Sequence, residues 1–309
     1  MRRVSSVVAA LFASACCSSL PRTPQRHVLP LPAVPDAYQV VESSRVWRDE
    51  KRRRDVPVKM YEPERARKAL PVVVVSHGIG EDRDSYAYLG RALAAAGFLA
   101  VHITHAGTDR EVRERGYLHL YRAVKRPENW IHRAFDVSFV LDRLEGDPRA
   151  DAGRVAVAGH SAGAFTAFAV AGLRGPNGQI LRDERVGVIV PMSMPRMDDV
   201  VPPGGYDGIE LPVLNVTGTC DASLLYRTLP RHRRRPFEET RAGGHYLVTL
   251  RGVNHNTFSS GSDRHQALLA GITIAFLRGF LLGDPAAASW FNEPGLSVVD
   301  GTELTIERK

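Results

Sequence analysis

The stretch Gly159-His160-Ser161-Ala162-Gly163 places a serine between glycines two positions before it and two positions after it. When a serine occupies a sharp turn between a strand and a helix, side chains at those two positions would collide, so the turn requires glycine. Such a turn lifts the serine hydroxyl clear of the sheet, and the following helix directs its N-terminal amides at it. The pattern is typical of a nucleophilic serine, and we predict that role for Ser161.

A serine hydroxyl is a weak nucleophile until a base removes its proton, and the base needs a carboxylate to orient it. His255 follows a strand predicted at residues 246–250, and Asp221 follows one predicted at residues 211–217. Serine, acid and histidine then occur in the chain order of enzymes that carry the nucleophile on a strand-to-helix turn. We predict Asp221 as the acid and His255 as the base.

Other residues compete for these two roles. Asp198 and Asp199 follow the strand predicted at residues 186–191 and are the alternatives for the acid. His245 lies at the opposite end of its strand, and the turn should point His160 away from the serine hydroxyl. Neither histidine is favoured as the base.

Negative charge that develops on a substrate carbonyl oxygen requires two backbone N–H donors in fixed positions. Ala162 follows the serine directly and supplies the first. The loop His77-Gly78-Ile79-Gly80 follows a β-branched strand predicted at residues 72–76, and its glycines let the backbone approach a substrate closely. We predict the Ile79 N–H as the second donor.

These residues belong to a regular alternation of apolar strands and amphipathic helices. Strands are predicted at 39–47, 56–61, 72–76, 98–103, 154–158, 186–191, 211–217 and 246–250, and helices at 84–96, 128–145, 162–171 and 263–282. This alternation predicts an α/β fold with a mostly parallel sheet of about eight strands, antiparallel only near its start, and helices on both faces. The carboxyl ends of parallel strands share one edge of a sheet, so the predicted site residues should meet there.

The first 17 residues differ from the rest of the chain. Two arginines precede an apolar run at 7–12, three small residues and then Cys16-Cys17, which is the layout of an export signal. Cys16 after Ala-Ser-Ala resembles the processing site of a bacterial lipoprotein, although Ala13 stands where such sites usually carry leucine. We predict a protein exported to the periplasm or cell envelope, or secreted, with Cys16 as a candidate site of lipid attachment to the membrane.

Composition divides the remainder of the chain. Five prolines between residues 20 and 35 predict an extended linker. We expect an export signal at 1–17, a proline-rich linker at 18–37, one catalytic domain at 38–283 and a C-terminal tail at 284–309. A single domain suits an α/β architecture of this size.

Composition also argues against several classes of function. The chain carries a net charge of +7 but no basic helical stripe with interleaved aromatic residues, so we predict no nucleic-acid partner. The basic run at 231–235 is expected to be a solvated loop. His102, His105 and Asp109 have no second cluster to complete a metal site, so neither a metal nor another cofactor is predicted. Cys220, the only cysteine outside the leader, is expected to be a small buried side chain.

Five segments resemble the predicted dienelactone hydrolases of bacteria, an α/β-hydrolase family close to platelet-activating-factor acetylhydrolase. They are the hairpin at 47–63 with Arg52-Arg53-Arg54-Asp55-Val56-Pro57-Val58, the oxyanion loop at 76–80, the helix at 136–141, the nucleophile turn at 159–163 and Asn254-His255-Asn256-Thr257-Phe258. True dienelactone hydrolases use a cysteine nucleophile, whereas this chain has Ser161. The resemblance implies the α/β-hydrolase fold and ester hydrolysis through an acyl-serine, without implying dienelactone.

The expected function is therefore hydrolysis of a small-molecule or lipid carboxylic ester, with segments 105–130 and 195–210 shaping the acyl pocket. One alternative is an acyltransferase that passes the acyl group to an alcohol. Another is a non-catalytic envelope lipoprotein that uses the fold for binding, which the filled catalytic positions argue against. A peptidase is disfavoured because the sequence offers no separate lid or propeller domain.

Overall fold

The computed structural model describes residues 27–28, 38–66, 68–241, 243–292, 295–299 and 302–309. The predicted export signal, the candidate lipidation site Cys16 and most of the predicted linker lie outside these residues. None of the helices in the described ranges combines the length and hydropathy of a membrane span.

One sheet of eleven strands organises the described chain. Its middle strands are β4 (Leu70–Ser76), β5 (Leu99–Ile103), β6 (Ala150–His160), β7 (Val186–Met192), β8 (Val213–Cys220) and β9 (His245–Asn254). These strands are parallel and follow the spatial order β5-β4-β6-β7-β8-β9. Every residue of β4 is buried, as expected for a strand covered on both faces.

Further strands extend both edges of the sheet. β2 (Val40–Asp49) and β3 (Arg54–Pro63) form the predicted antiparallel hairpin, and β3 pairs with β5. At the opposite edge, β11 (Thr302–Arg308) pairs antiparallel with β9, and β10 (Gly295–Val299) pairs antiparallel with β11. The short β1 (His27–Val28) lies parallel to β10. The expectation of about eight strands was therefore too low, and the additional strands of the described residues all lie at this second edge. The expectation of antiparallel pairing only near the start of the chain was also wrong, because β10, β11 and β9 pair antiparallel here.

Helices cover both faces of the sheet, and alternate residues of β4 show how they divide the core. Val72 and Val74 pack with α4 (Pro127–Glu145) and α5 (Ala162–Ala171). Val73 and Val75 pack on the other face with α1 (Ala87–Ala95) and α8 (Asp263–Phe280). The predicted α/β architecture is confirmed. The shorter helices are α2 (Arg110–Glu114), α3 (Tyr117–Val124), α6 (Arg235–Glu239), α7 (Thr257–Ser260) and α9 (Pro285–Trp290).

The C-terminal residues, expected as a tail, are part of the folded body. α9 contacts α8, and Trp290 is buried. Leu304 and Ile306 of β11 are buried in the core that also contains α1 and α8. The alternating apolar pattern of residues 302–308 is a strand signal, but short elements that follow a long helix are easily taken for a tail.

Cys220 is the last residue of β8 and is only partly buried. It is disulfide-bonded, so the expectation of a small buried side chain was wrong. A count of three cysteines leaves room for one bond, which sequence spacing does not reveal. The other two, Cys16 and Cys17, lie outside the described residues.

Candidate active site

Ser161 occupies the turn between β6 and α5 in a conformation that few residues other than glycine adopt, with φ 56° and ψ −113°. The flanking glycines are required by close backbone contacts. A Cβ at Gly163 would lie 1.9 Å from the Ser76 carbonyl oxygen, and a Cβ at Gly159 would lie 2.4 Å from the backbone of Gly163. The Ser161 N–H donates to the Met192 carbonyl oxygen at 2.9 Å, which ties the turn to β7.

Asp221 and His255 directly follow β8 and β9, and their side chains meet at this edge of the sheet. His255 Nδ1 lies 3.0 Å from Asp221 Oδ1. With Nδ1 directed at a carboxylate, Nε2 is the ring nitrogen left to accept a proton. Ser161, His255 and Ile79 line one cavity of about 800 Å³.

Asp221 is completely buried and surrounded by donors. Oδ1 accepts from the Ser193 hydroxyl at 2.9 Å, and Oδ2 accepts from the Thr217 hydroxyl at 2.9 Å. Burial opposes the charge, but Arg233 and these hydrogen bonds hold the pKa of Asp221 well below its ordinary value. The carboxylate is therefore an anion at any pH at which the protein would work.

Ser193 bridges the acid and the histidine. Its hydroxyl oxygen lies 2.7 Å from His255 Nδ1, as well as donating to Asp221. Its backbone also has a positive φ of 57°, and its N–H donates to the Val216 carbonyl oxygen at 2.7 Å. A strained, fully buried serine thus helps to hold the His255 ring. No pattern in the sequence predicts this role.

The basic run at 231–235, expected to be solvated, contains a completely buried arginine. Arg233 lies 3.0 Å from Asp221 Oδ1, and it donates at 2.8 Å to the carbonyl oxygens of both Ser193 and Met194. Its guanidinium is 3.1 Å from His255 Nδ1, because both groups contact Oδ1 of Asp221. The expectation was wrong for Arg233 because a run of charges does not show which member turns inward. Arg231 does remain exposed.

The predicted oxyanion donors lie at two backbone junctions, Ala162 at the start of α5 and Ile79 in the loop after β4. Neighbouring amides of that loop are engaged: the Gly78 N–H donates to Glu81 at 2.9 Å, and the Gly80 N–H donates to Thr108 at 2.8 Å. Within the described residues, neither the Ile79 N–H nor the Ala162 N–H donates a hydrogen bond to the protein. Both amides are available to a substrate oxygen.

A buried arginine fixes the position of this loop. Arg133 of α4 is completely buried and donates to the His77 carbonyl oxygen, to the Ser76 hydroxyl at 3.1 Å and to the Thr166 hydroxyl of α5 at 2.9 Å. Burial lowers the pKa of Arg133 to about 10, so it stays charged at neutral pH. It thereby joins the oxyanion loop to the helix that begins after Ser161.

Ser76, His105 and Asp136 form a second serine–histidine–aspartate chain behind the loop. His105 Nε2 lies 2.9 Å from the Ser76 hydroxyl, and Nδ1 lies 3.0 Å from Asp136 Oδ2. All three side chains are completely buried, so no substrate can reach them. Burial lowers the pKa of His105 to about 3, and its imidazole is neutral. This chain is a structural support for the loop.

Asp136 also forms ion pairs with two arginines of the β2–β3 hairpin. Arg52 and Arg54 bind it at 2.7 and 2.9 Å, so they clamp the turn of the β2–β3 hairpin to α4. Burial opposes the charge of Asp136, but hydrogen bonds from His105 and Arg54 lower its pKa to about 2. His102, considered above with His105 for a metal, instead directs Nδ1 at the Ser85 carbonyl oxygen at 3.0 Å. In the described ranges no group of side chains is arranged to hold a metal ion.

The competing residues lie away from His255 Nδ1, with one exception. Asp198 forms ion pairs with Arg196 and Arg235, and Asp199 is exposed. His245 starts β9, at the end of the sheet opposite His255. His160 is the exception: its ring packs 4.6 Å from that of His255, and burial holds its pKa well below the ordinary value, so it forms a neutral wall.

Residues 67–182 match the family model described as serine aminopeptidase, S33. The match covers Ser161 and both predicted oxyanion donors and ends before Asp221 and His255. No curated protein matches the chain. The matched segment, the mostly parallel central sheet and the strained serine at the strand-to-helix turn all agree with one fold. The chain has the α/β-hydrolase fold.

The site has one further residue that sequence reasoning missed. Tyr226 is buried and lines the same cavity as Ser161, and its hydroxyl has no hydrogen-bond partner among the described residues. Burial raises the pKa of Tyr226, so the hydroxyl keeps its proton and can donate. Tyr226 follows no motif, and only the tertiary structure brings it to the site.

Proposed function

We propose that this α/β-hydrolase cleaves carboxylic esters through an acyl-serine intermediate. Ser161 attacks the ester carbonyl carbon, and His255 takes its proton and returns it to the departing alcohol. The Ile79 and Ala162 amides bind the oxyanion. Water activated by His255 then hydrolyses the acyl-enzyme. The observation that carries the proposal is that the strained Ser161 and the Asp221-bound His255 line the same cavity.

The surroundings of His255 suit a proton shuttle. Asp221 and Ser193 both lie within hydrogen-bond distance of Nδ1, which fixes the tautomer that leaves Nε2 free to accept a proton. The buried anion of Asp221 stabilises the imidazolium that forms when Ser161 is deprotonated. The neutral His160 ring packs against His255 without adding a second charge.

Hydrolysis of p-nitrophenyl acetate and butyrate tests the proposal. We expect turnover by the wild-type protein and a loss of at least about 10⁴-fold in kcat for Ser161→Ala. Ser260→Ala is the matched control, because Ser260 is an exposed serine that lines the same cavity. Equal rates for Ser161→Ala and the wild type would overturn the assignment of the nucleophile.

Ester cleavage is favoured over the aminopeptidase activity named by the matched family model. A free α-amino group is recognised by a carboxylate that is available to pair with it. The two carboxylates that line the cavity are already engaged. Glu81 binds the Tyr86 hydroxyl and the Gly78 N–H, and Asp84 pairs with Lys59 at 3.1 Å. We expect no turnover of alanine p-nitroanilide under conditions in which the acetate ester is cleaved.

We further propose that the enzyme is exported and acts in the cell envelope or outside the cell on a small-molecule or lipid ester. The layout of residues 1–17 and the position of Cys16 support this proposal. Mass spectrometry of the protein recovered from cells tests it. A mature chain that begins at Cys16 with a lipid adduct would support attachment, and an intact Met1 would overturn export.

A further inference from the structure

A second cavity, of about 830 Å³, adjoins the catalytic cavity. Leu225 and Tyr226 line both cavities, so these two neighbouring residues form the partition between them. Ser161 and His255 line only the first cavity. Tyr226 and Ser161 line the same catalytic cavity, so the partition forms part of the wall of the cavity that contains the nucleophile.

The interior of the second cavity is apolar and aromatic. Trp130 and Phe165 meet edge to face with ring centroids 4.9 Å apart, and Trp130 lies 6.3 Å from Tyr226. Both residues are more than nine-tenths buried. Other apolar side chains of the lining are Leu173, Leu181, Met197 and Val200. The charged lining residues are all exposed, so charge is confined to the mouth; they are Lys125, Arg196, Asp199 and Arg227.

The direction of the reaction distinguishes the two cavities. His255 must deliver a proton to the departing alcohol, so the alcohol has to lie on the side of His255. That side is the first cavity, which also contains the polar residues Asn256, Ser259 and Gln266. The acyl group must then leave Ser161 in another direction, and the apolar cavity behind Tyr226 is the space that adjoins it.

We propose that the second cavity binds the acyl chain of the substrate, with Tyr226 as the partition that the chain passes. The ligand is an unbranched aliphatic acyl group of eight carbons or more. An engineered cavity of roughly 150 Å³ holds one benzene molecule, and this cavity is several times larger. The inference rests on the proposed ester hydrolysis and adds the class of substrate.

The dependence of kcat/KM on acyl length tests the inference. For p-nitrophenyl esters from acetate to decanoate, we expect kcat/KM to rise about fourfold for each added CH₂ up to octanoate, because each CH₂ enters an apolar site. Val200→Trp fills the cavity and should lower the octanoate-to-acetate ratio of kcat/KM at least tenfold. Val46→Trp is the matched control, since Val46 is 60% exposed on β2 and does not line the second cavity. Ala169→Phe fills the same cavity from α5 and should act like Val200→Trp.

Binding to an inactive protein separates this inference from the proposed function. Calorimetry with octanoate and Ser161→Ala should show binding that the additional Val200→Trp substitution weakens at least tenfold. Activity that survives in Ser161→Ala would overturn the nucleophile assignment and leave the binding result intact. Chain-length-independent hydrolysis, or octanoate binding that Val200→Trp does not change, would overturn the acyl-chain site alone.

Discussion

Arg233 and Asp221 form a completely buried ion pair, with the guanidinium 3.0 Å from the carboxylate. The same carboxylate oxygen faces His255, so a permanent cation lies 3.1 Å from the histidine Nδ1. A cation in this position opposes the positive charge that His255 acquires when it accepts a proton, whereas Asp221 favours that charge. The proposed base therefore lies beside two buried groups of opposite charge.

Replacing Arg233 by methionine should destabilise the fold. We expect the free energy of unfolding to fall by about 3 kcal/mol, since the buried Asp221 carboxylate loses its cationic partner. Urea unfolding measures the effect. Arg231→Met is the control, because Arg231 is an exposed member of the same basic run, and it should leave the unfolding free energy unchanged. An Arg233→Met protein as stable as the wild type would contradict a stabilising role for the buried pair.

Arg133→Met should loosen the oxyanion loop without touching the substrate. A displacement of about 1 Å in a catalytic group can cost about 10²-fold in rate, so we expect kcat to fall by that order while KM changes little. Affinity for a boronic acid that mimics the tetrahedral intermediate should fall in parallel with kcat/KM. Arg126→Met, at an exposed arginine directly before α4, is the control. Unchanged inhibitor affinity would contradict a role in positioning the oxyanion donors.

Gly163→Ala should prevent the nucleophile turn from forming. The new methyl group would stand 1.9 Å from the Ser76 carbonyl oxygen, and neither backbone segment can move aside without displacing β4 or α5. We expect little soluble protein, or a loss of more than about 4 kcal/mol in unfolding free energy. Gly146→Ala is the matched control, because nothing lies within 4 Å of its added Cβ. A stable, active Gly163→Ala protein would refute the described geometry of the turn.

Buried neutral histidines should make the fold sensitive to acid. Burial lowers the pKa of His102 to about 4 and that of His105 to about 3, from an ordinary value of 6.5. Below pH 6.5 the unfolded chain binds protons at these residues that the folded protein does not, so stability falls as the pH falls toward 4. Each histidine contributes at most about 1.4 kcal/mol per pH unit. Asp136, whose pKa is lowered from 3.8 to about 2, adds a loss only below about pH 4.

Urea unfolding between pH 7.5 and 5 measures this slope. His102→Gln should reduce the slope of the unfolding free energy against pH by up to about 1.4 kcal/mol per pH unit, which corresponds to the uptake of one proton. The exposed His119 provides the control, because His119→Gln removes a histidine outside the core. A slope equal to that of the wild type in His102→Gln would contradict the assignment of His102 as a buried neutral group.

The positions of the candidate catalytic residues could be predicted from local sequence patterns. Sharp turns between strands and helices demand particular residues, so the positions of Ser161 and Ile79 could be inferred from the glycines around them. Asp221 and His255 followed from where two strands end. Their assigned catalytic roles remain proposals, but the structure brings the two side chains together as the sequence order predicts.

The buried charged residues that support the site could not be inferred in this way. Their partners lie far away in the sequence, and local patterns do not predict such contacts. Arg233 reaches Ser193 from 40 residues away and His255 from 22. Arg133 and Asp136 could have been noticed in the sequence. They are three residues apart on the same buried face of α4 as Val137 and Val140. Charged residues on an otherwise apolar helix face indicate buried partners, although the sequence does not identify them.

The last strand of the chain has a consequence for protein synthesis. β9 leads directly into His255, and the outer edge of β9 pairs with β11. While the chain is being made, that edge lacks this neighbour until residues 302–308 emerge. An unpaired edge can recruit strands of other chains. A chain truncated before residue 302 would thus keep Ser161, Asp221 and His255 but expose a sheet edge that can bind other chains.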